Sequence, residues 1–120
     1  MRVISLERDD GAVVCEHCEV ADGVWTRTRG LLGRTSLEPG HGMLIRPAGS
    51  VHTFCMRFPI DCVFLDGELR VVGVREAVRP WRTAHAKGAK STLELAAGEA
   101  ARAGIEVGDR LREVDRPELV

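Results

Sequence analysis

The stretch V-H-T-F-C-M-R-F-P-I-D-C-V-F-L-D-G-E-L-R-V-V, from Val51 to Val72, holds all three phenylalanines of the chain, two of its four cysteines, and three polar groups: His52, Arg57 and Asp61. Residues 51–58 fit a strand of period two. His52, Phe54, Met56 and Phe58 would share one face, and Val51, Thr53, Cys55 and Arg57 the other. Pro59 has no N–H to give a ladder, so a bend or an edge is expected there. Residues 60–65 and 68–74 then read as a hairpin across Asp66-Gly67, a pair that tolerates the positive φ of tight turns. Phe54, Met56, Phe58 and Phe64 are the expected core of this region.

Strand-and-turn signals continue on both sides. Residues 3–18 read as a hairpin about Asp10-Gly11. Residues 22–33 read as a short helix with Asp22 as N-cap and Gly33 as stop. Val24, Trp25, Leu31 and Leu32 fall on one face of that helix, and Gly30 is an unfavourable interior residue, by about 1 kcal/mol against Ala. Met43 to Ile45 is a short apolar strand. Residues 79–90, with Pro80, Gly88 and charges of no period, read as a long loop. Ser91 to Ala96 is a strand, Glu99 to Ala103 one helical turn, Arg110 to Val114 a last strand, and 115–120 a frayed tail.

The expected fold class is therefore mainly β, bordering on α+β. It is a small, mostly antiparallel, barrel-like sheet of seven or eight short strands with two short helices. No strand–helix alternation supports a doubly wound fold. A chain of 120 residues fits one domain, 1–120, and folding at this size buries roughly two thirds of the extended surface.

Composition narrows the function classes. The net charge is −1, which gives no general pull toward nucleic acid or a membrane surface. Charge is nonetheless uneven: Arg70 to Lys90 carries six basic residues and one acid, with Trp81 among them. Basic groups beside an aromatic can hold nucleic acid, but no recognised binding motif is present, so nucleic acid is an unlikely partner. The first residues carry no apolar run of the signal-peptide kind, and no stretch reaches the ~20 apolar residues needed to span a bilayer. A cytoplasmic protein is expected, with its cysteines as free thiols.

Three constellations could carry chemistry. His52, Arg57 and Asp61 offer an imidazole, a guanidinium and a carboxylate. They could bind an anionic or zwitterionic ligand or support acid–base work. Alternatively, Arg57 and Asp61 pair across the Pro59 bend as a staple. Cys15 and Cys18 enclose His17 in a C-x-x-C. That spacing suits zinc or redox cycling, but no second ligand pair is found, and alternation sends Cys15 and His17 to one face and Glu16 and Cys18 to the other. Core thiols are the plainer reading. Cys55 and Cys62 flank the bend and read as small apolar side chains, unless His52 curls within reach as a base. No glycine-rich phosphate loop or other cofactor motif is present.

Several segments together resemble a known family. They are R-T-R-G-L-L-G-R (Arg27 to Arg34), Leu37, Gly42-Met43-Leu44, Val51 to Asp66, Leu93-Glu94-Leu95 with Ala97-Gly98, and Val107-Gly108-Asp109. In this order and spacing, over about residues 20–114, they resemble the domain of unknown function 192, also called uncharacterised protein family 0127. Cys55 fills the x of its H-T-F-x-M-R-F-P-I/L-D pattern, Cys62 follows the Asp where aliphatic residues are common, and the C-x-x-C at Cys15 lies outside the resembling region. The resemblance implies a compact, mostly β domain with no established activity, cofactor or substrate. Its motifs add Arg34 and Glu94 to the candidate ligand-binding residues. The resulting expectation is an accessory module that binds a small ligand or a protein partner in a polar pocket near residues 51–61. An enzyme built on His52, Arg57 and Asp61, or a thiol or metal protein built on Cys15, His17 and Cys18, are the alternatives.

Overall fold

The structure, a computed structural model, describes residues 1–120. Nine strands form two sheets. In the larger, β1 (Val3–Arg8), β2 (Val13–Ala21), β3 (His41–Ile45), β5 (Ile60–Leu65), β6 (Val71–Val78), β8 (Ser91–Ala96) and β9 (Leu111–Asp115) lie in the order β6-β5-β8-β3-β2-β1-β9. In the smaller, β4 (Ser50–His52) pairs with β7 (Thr83–His85). Helices α1 (Val24–Arg29) and α2 (Glu99–Arg102) are short. All ladders are antiparallel except β2 with β3.

The mainly β expectation holds, but the large sheet is not closed into a barrel. Its two edge strands meet at one end only. Arg70 and Arg110 form an isolated antiparallel bridge, the Val71 N–H donates to Asp109 O at 2.7 Å, and Leu111 N–H to Leu69 O at 2.9 Å. Beyond that clasp no ladder joins β6 to β9, because closure of a full barrel needs a continuous staggered register.

Each face of the sheet carries its own apolar cluster. The first joins Ile4, Leu6, Val14, Cys15, Cys18, Leu44, Val63, Leu65, Leu93 and Leu95 with Ala100 of α2. The second joins Leu31, Met43, Ile45, Met56, Ile60, Cys62 and Phe64. Alternation along β5 and β8, neighbouring interior strands of the sheet, produces the division. Burying one such side chain fully is worth about 1.5–3 kcal/mol. Gly42 lets β3 approach its neighbours: a Cβ there would lie 2.8 Å from Leu95 Cδ2 and 2.9 Å from Cys15 Sγ.

Several local expectations are corrected. The strand at 51–58 ends at His52, and residues 53–58 turn, with Cys55 at φ 65°. Period two therefore fails there: Met56 is buried, but Phe54 is 42% exposed. The supposed loop 79–90 contains β7, and buried Thr53 ties it to the 51–58 turn. The Thr53 N–H donates to Arg82 O at 2.8 Å, and its hydroxyl to Arg79 O at 2.6 Å. Helix α1 stops at Gly30, not Gly33, and Trp25 stands 85% exposed. The Asp66-Gly67 hairpin turns over five residues, with Asp66 Oδ1 accepting from the Glu68 and Arg70 N–H groups. In the tail, Pro117–Leu119 form a 3-10 turn, and Arg116 donates to Ser5 Oγ at 2.9 Å.

Candidate functional site

A cleft of about 340 Å³ lies between α1 with its following turn, the segment linking β3 to β4, and the centre of the large sheet. Leu31, Leu32, Ile45, Val51 and Met56 give its walls an apolar part, Arg27, Thr28, Arg29, Ser50 and His52 a polar one, and Glu94 of β8 lines it from the sheet. The sequence S-T-L-E-L-A places Glu94 there directly. Leu93 and Leu95 enter the first apolar cluster, so period two turns Glu94 to the opposite face, beside Met43 of β3 and Cys62 of β5.

Glu94 is only 3% exposed. It forms no ion pair, and no donor of the chain hydrogen-bonds its carboxyl. Burial alone therefore acts on it, and raises its pKa to about 7. Cys62, opposite Glu94 in the ladder, is pushed up to about 12, first by burial and then by the negative charge of Glu94. Gly30 lies over Glu94. It holds φ 50° at the end of α1, and a Cβ there would stand 4.0 Å from Glu94 Oε1. A second polar group is short of partners: Arg27 donates through Nη1 to Pro47 O at 3.2 Å, while its Nε is sealed without an acceptor.

The structure does not bring His52, Arg57 and Asp61 together. His52 is at the rim of the cleft and stacks on Phe54, with ring centroids 5.1 Å apart. Arg57 is exposed and pairs with no carboxylate, so the Arg57–Asp61 staple is absent. Asp61 is completely buried on the opposite side of the sheet from Glu94. Its Oδ1 accepts from the Ala77 N–H at 2.8 Å, and its Oδ2 from Gly98 and Ala100 N–H at 3.0 and 2.9 Å. It fastens β6 and the start of α2 to β5, and its oxygens face backbone rather than a cavity. Arg34 pairs with Glu19 outside the cleft.

The C-x-x-C geometry also differs from simple alternation. Ile4 pairs with Cys18 and Leu6 with Cys15, a register shift that marks a β-bulge in β2. The extra residue turns both cysteines into the first apolar cluster, where they are fully buried free thiols. The neighbouring Cys15 thiol and burial push the Cys18 thiol well up. His17 instead stacks on His41, with centroids 4.5 Å apart. The four cysteines are all unpaired, and Cys55 alone is exposed.

Of the five residues singled out first, then, Glu94 and His52 reach the cleft. Arg27, Gly30 and Met56 were not foreseen as site residues. The visible signal for Gly30 was a glycine in a helical stretch; Arg27 and Met56 carried none, because a chain turn brings them in.

Comparisons with known proteins agree with this architecture. A family model for the domain of unknown function 192, described as an uncharacterized ACR, matches residues 5–113. The match begins before the C-x-x-C and so includes Cys15 and Cys18. A UPF0127 protein of Pyrococcus abyssi is 35% identical over 100 residues, covering 78% of this chain and 82% of the relative. A crystal structure of a protein of unknown function from Novosphingobium aromaticivorans superposes with a TM-score of 0.78 at 25% identity, covering 92% of this chain and 83% of that one. Another, from Sinorhizobium meliloti and described as a candidate transcription regulator, gives 0.80 at 25% identity, covering 93% and 92%.

Proposed function

The chain belongs to the domain of unknown function 192 family, and we propose that it is a small-molecule-binding module whose ligand seats in the cleft between α1 and the large sheet. The observation that carries this reading is Glu94: an acid only 3% exposed with no hydrogen-bond partner in the chain, lining a cleft of mixed polar and apolar walls large enough for a small organic ligand. Leaving such a group unsatisfied costs stability, and unpaired buried polar groups gather at sites that a ligand completes. His52 at the rim adds a polar contact, and Arg27 adds a guanidinium to one wall.

A catalytic reading is less well supported. No hydrogen bond joins His52 to a carboxylate or to Cys55, so the chain lacks an assembled base–nucleophile pair there. A cytoplasmic setting suits four unpaired cysteines. No helix is long and apolar enough to cross a membrane.

The test is a fragment screen observed by amide chemical shifts. Fragments of about ten heavy atoms should move the amides of Gly30, Leu31, Val51 and Glu94 together. A screen in which binders move other regions and leave these four unmoved would end the proposal.

A further inference from the structure

We infer that the cleft selects a ligand carrying a primary ammonium group on an apolar body, with the ammonium seated on Glu94. This rests on the binding reading above and specifies the ligand's chemistry. The cleft offers two carboxyl oxygens with no donor from the chain, and Leu31, Ile45 and Met56 supply apolar wall beside them in the same cleft. A compact cation with several N–H donors supplies both missing elements: the counter-charge and the hydrogen bonds. An inorganic cation fits poorly, since calcium or magnesium needs several oxygen ligands and no group of three His, Cys, Asp or Glu side chains gathers in the chain. An anionic ligand would meet the ionised Glu94 as a like charge.

The ionisable groups around Glu94 set the direction of its pH dependence. From α1 come Arg27 and Arg29, from β4 His52, and from β5 Cys62; β3 presents Met43 and Ile45. Asp61 faces the other side of the sheet. Neither arginine bonds to Glu94, and burial holds its pKa at about 7. An ammonium group needs the ionised form, so binding draws a proton off Glu94 and strengthens as pH rises. A neutral carbonyl ligand would accept a hydrogen bond from the protonated acid, and its binding would weaken instead.

The experiment uses the full chain and three probes of matched shape: 2-phenylethylammonium, 2-phenylethanol and 3-phenylpropanamide. Amide shifts report the site and titrations the affinity, from pH 5.5 to 8. The ammonium probe should bind at the Gly30–Glu94 amides, with an affinity that rises about 30-fold over this range, as follows from a pKa of about 7. Glu94→Gln should remove that rise and at least tenfold of the affinity at pH 8. The same variant should melt no lower than wild type at pH 8, which separates lost binding from lost folding. The inference is overturned if the alcohol or amide binds the cleft more tightly than the ammonium. It is equally overturned if ammonium affinity is flat with pH or unchanged in Glu94→Gln. If a neutral probe occupies the cleft while the ammonium does not, the cleft remains a binding site and the ligand class is wrong. If no probe moves a cleft amide, the ammonium assignment is lost, and the fragment screen decides the cleft itself.

Discussion

Gly30 stands over the carboxyl of Glu94: a methyl group on its Cα would lie 4.0 Å from Oε1 and 3.7 Å from Ile45 Cδ1. The same residue ends α1 at φ 50° and ψ −129°, a region that side-chain-bearing residues rarely adopt. Gly30→Ala should therefore lower stability by about 1–2 kcal/mol. It should also weaken fragment binding in the cleft. Urea unfolding and fragment titration check the two effects separately, and an alanine that is neutral in both would show that this glycine is dispensable.

Glu94 makes stability depend on pH in a specific direction. Its folded pKa of about 7 exceeds the ~4.3 of an unfolded glutamate, so the folded chain retains a proton that the unfolded chain releases between those values. The contribution is most favourable below about pH 4.3 and is lost as pH rises through 7, by up to about 4 kcal/mol. Glutamine cannot ionise. The melting temperature of Glu94→Gln minus that of wild type should increase steadily from pH 5 to pH 8. A difference that does not change with pH would mean that Glu94 is ionised at little cost.

Asp61 is predicted to hold structure rather than ligand. In Asp61→Asn one of the two acceptor oxygens becomes an N–H donor aimed at backbone N–H groups, costing about 2–4 kcal/mol. The urea midpoint should fall with little change in slope, while the folded fraction still binds cleft fragments. Loss of fragment binding without loss of stability would move Asp61 into the site.

The thiols should divide one against three. Cys55 is exposed on its turn, whereas Cys15, Cys18 and Cys62 are buried, and the Cys18 and Cys62 thiols are pushed up. A thiol-reactive disulfide reagent at pH 8 should modify one cysteine promptly in the native protein and four after denaturation. Loss of the prompt reaction in Cys55→Ser assigns it. Rapid reaction of Cys15 or Cys18 in the folded chain would revive the redox reading of the C-x-x-C.

Much of the sheet was legible from local pattern. Residues 60–65 and 91–96, short apolar runs (the first ending at the Asp66-Gly67 turn), form the strands expected of them. Residues 51–58, which fit a period of two, do not. There Thr53 bonds to the backbone of residues 79–82, and that distant attachment outweighs local periodicity. Cys15 and Cys18 were misplaced because a bulge adds one residue to β2, which a strict period of two cannot anticipate. For the site, Glu94 carried a readable signal: one acid on the buried face of an apolar strand. The partners of Asp61 did not, since Ala77, Gly98 and Ala100 offer only backbone N–H groups, which leave no mark in side-chain chemistry.

Those three N–H groups belong to segments 16 to 39 residues from Asp61, and they converge on one carboxyl group. The carboxyl group is fully satisfied only when β5, β6 and α2 have all assembled, and opening β6 or α2 leaves one of its oxygens without its donors. Local fraying of α2 is thereby coupled to the β5–β6 pair of the sheet. A four-residue helix would ordinarily exchange its amide protons freely with solvent; here the Ala100 amide should exchange as slowly as Ala77, at a rate set by cooperative opening of the sheet rather than of the helix.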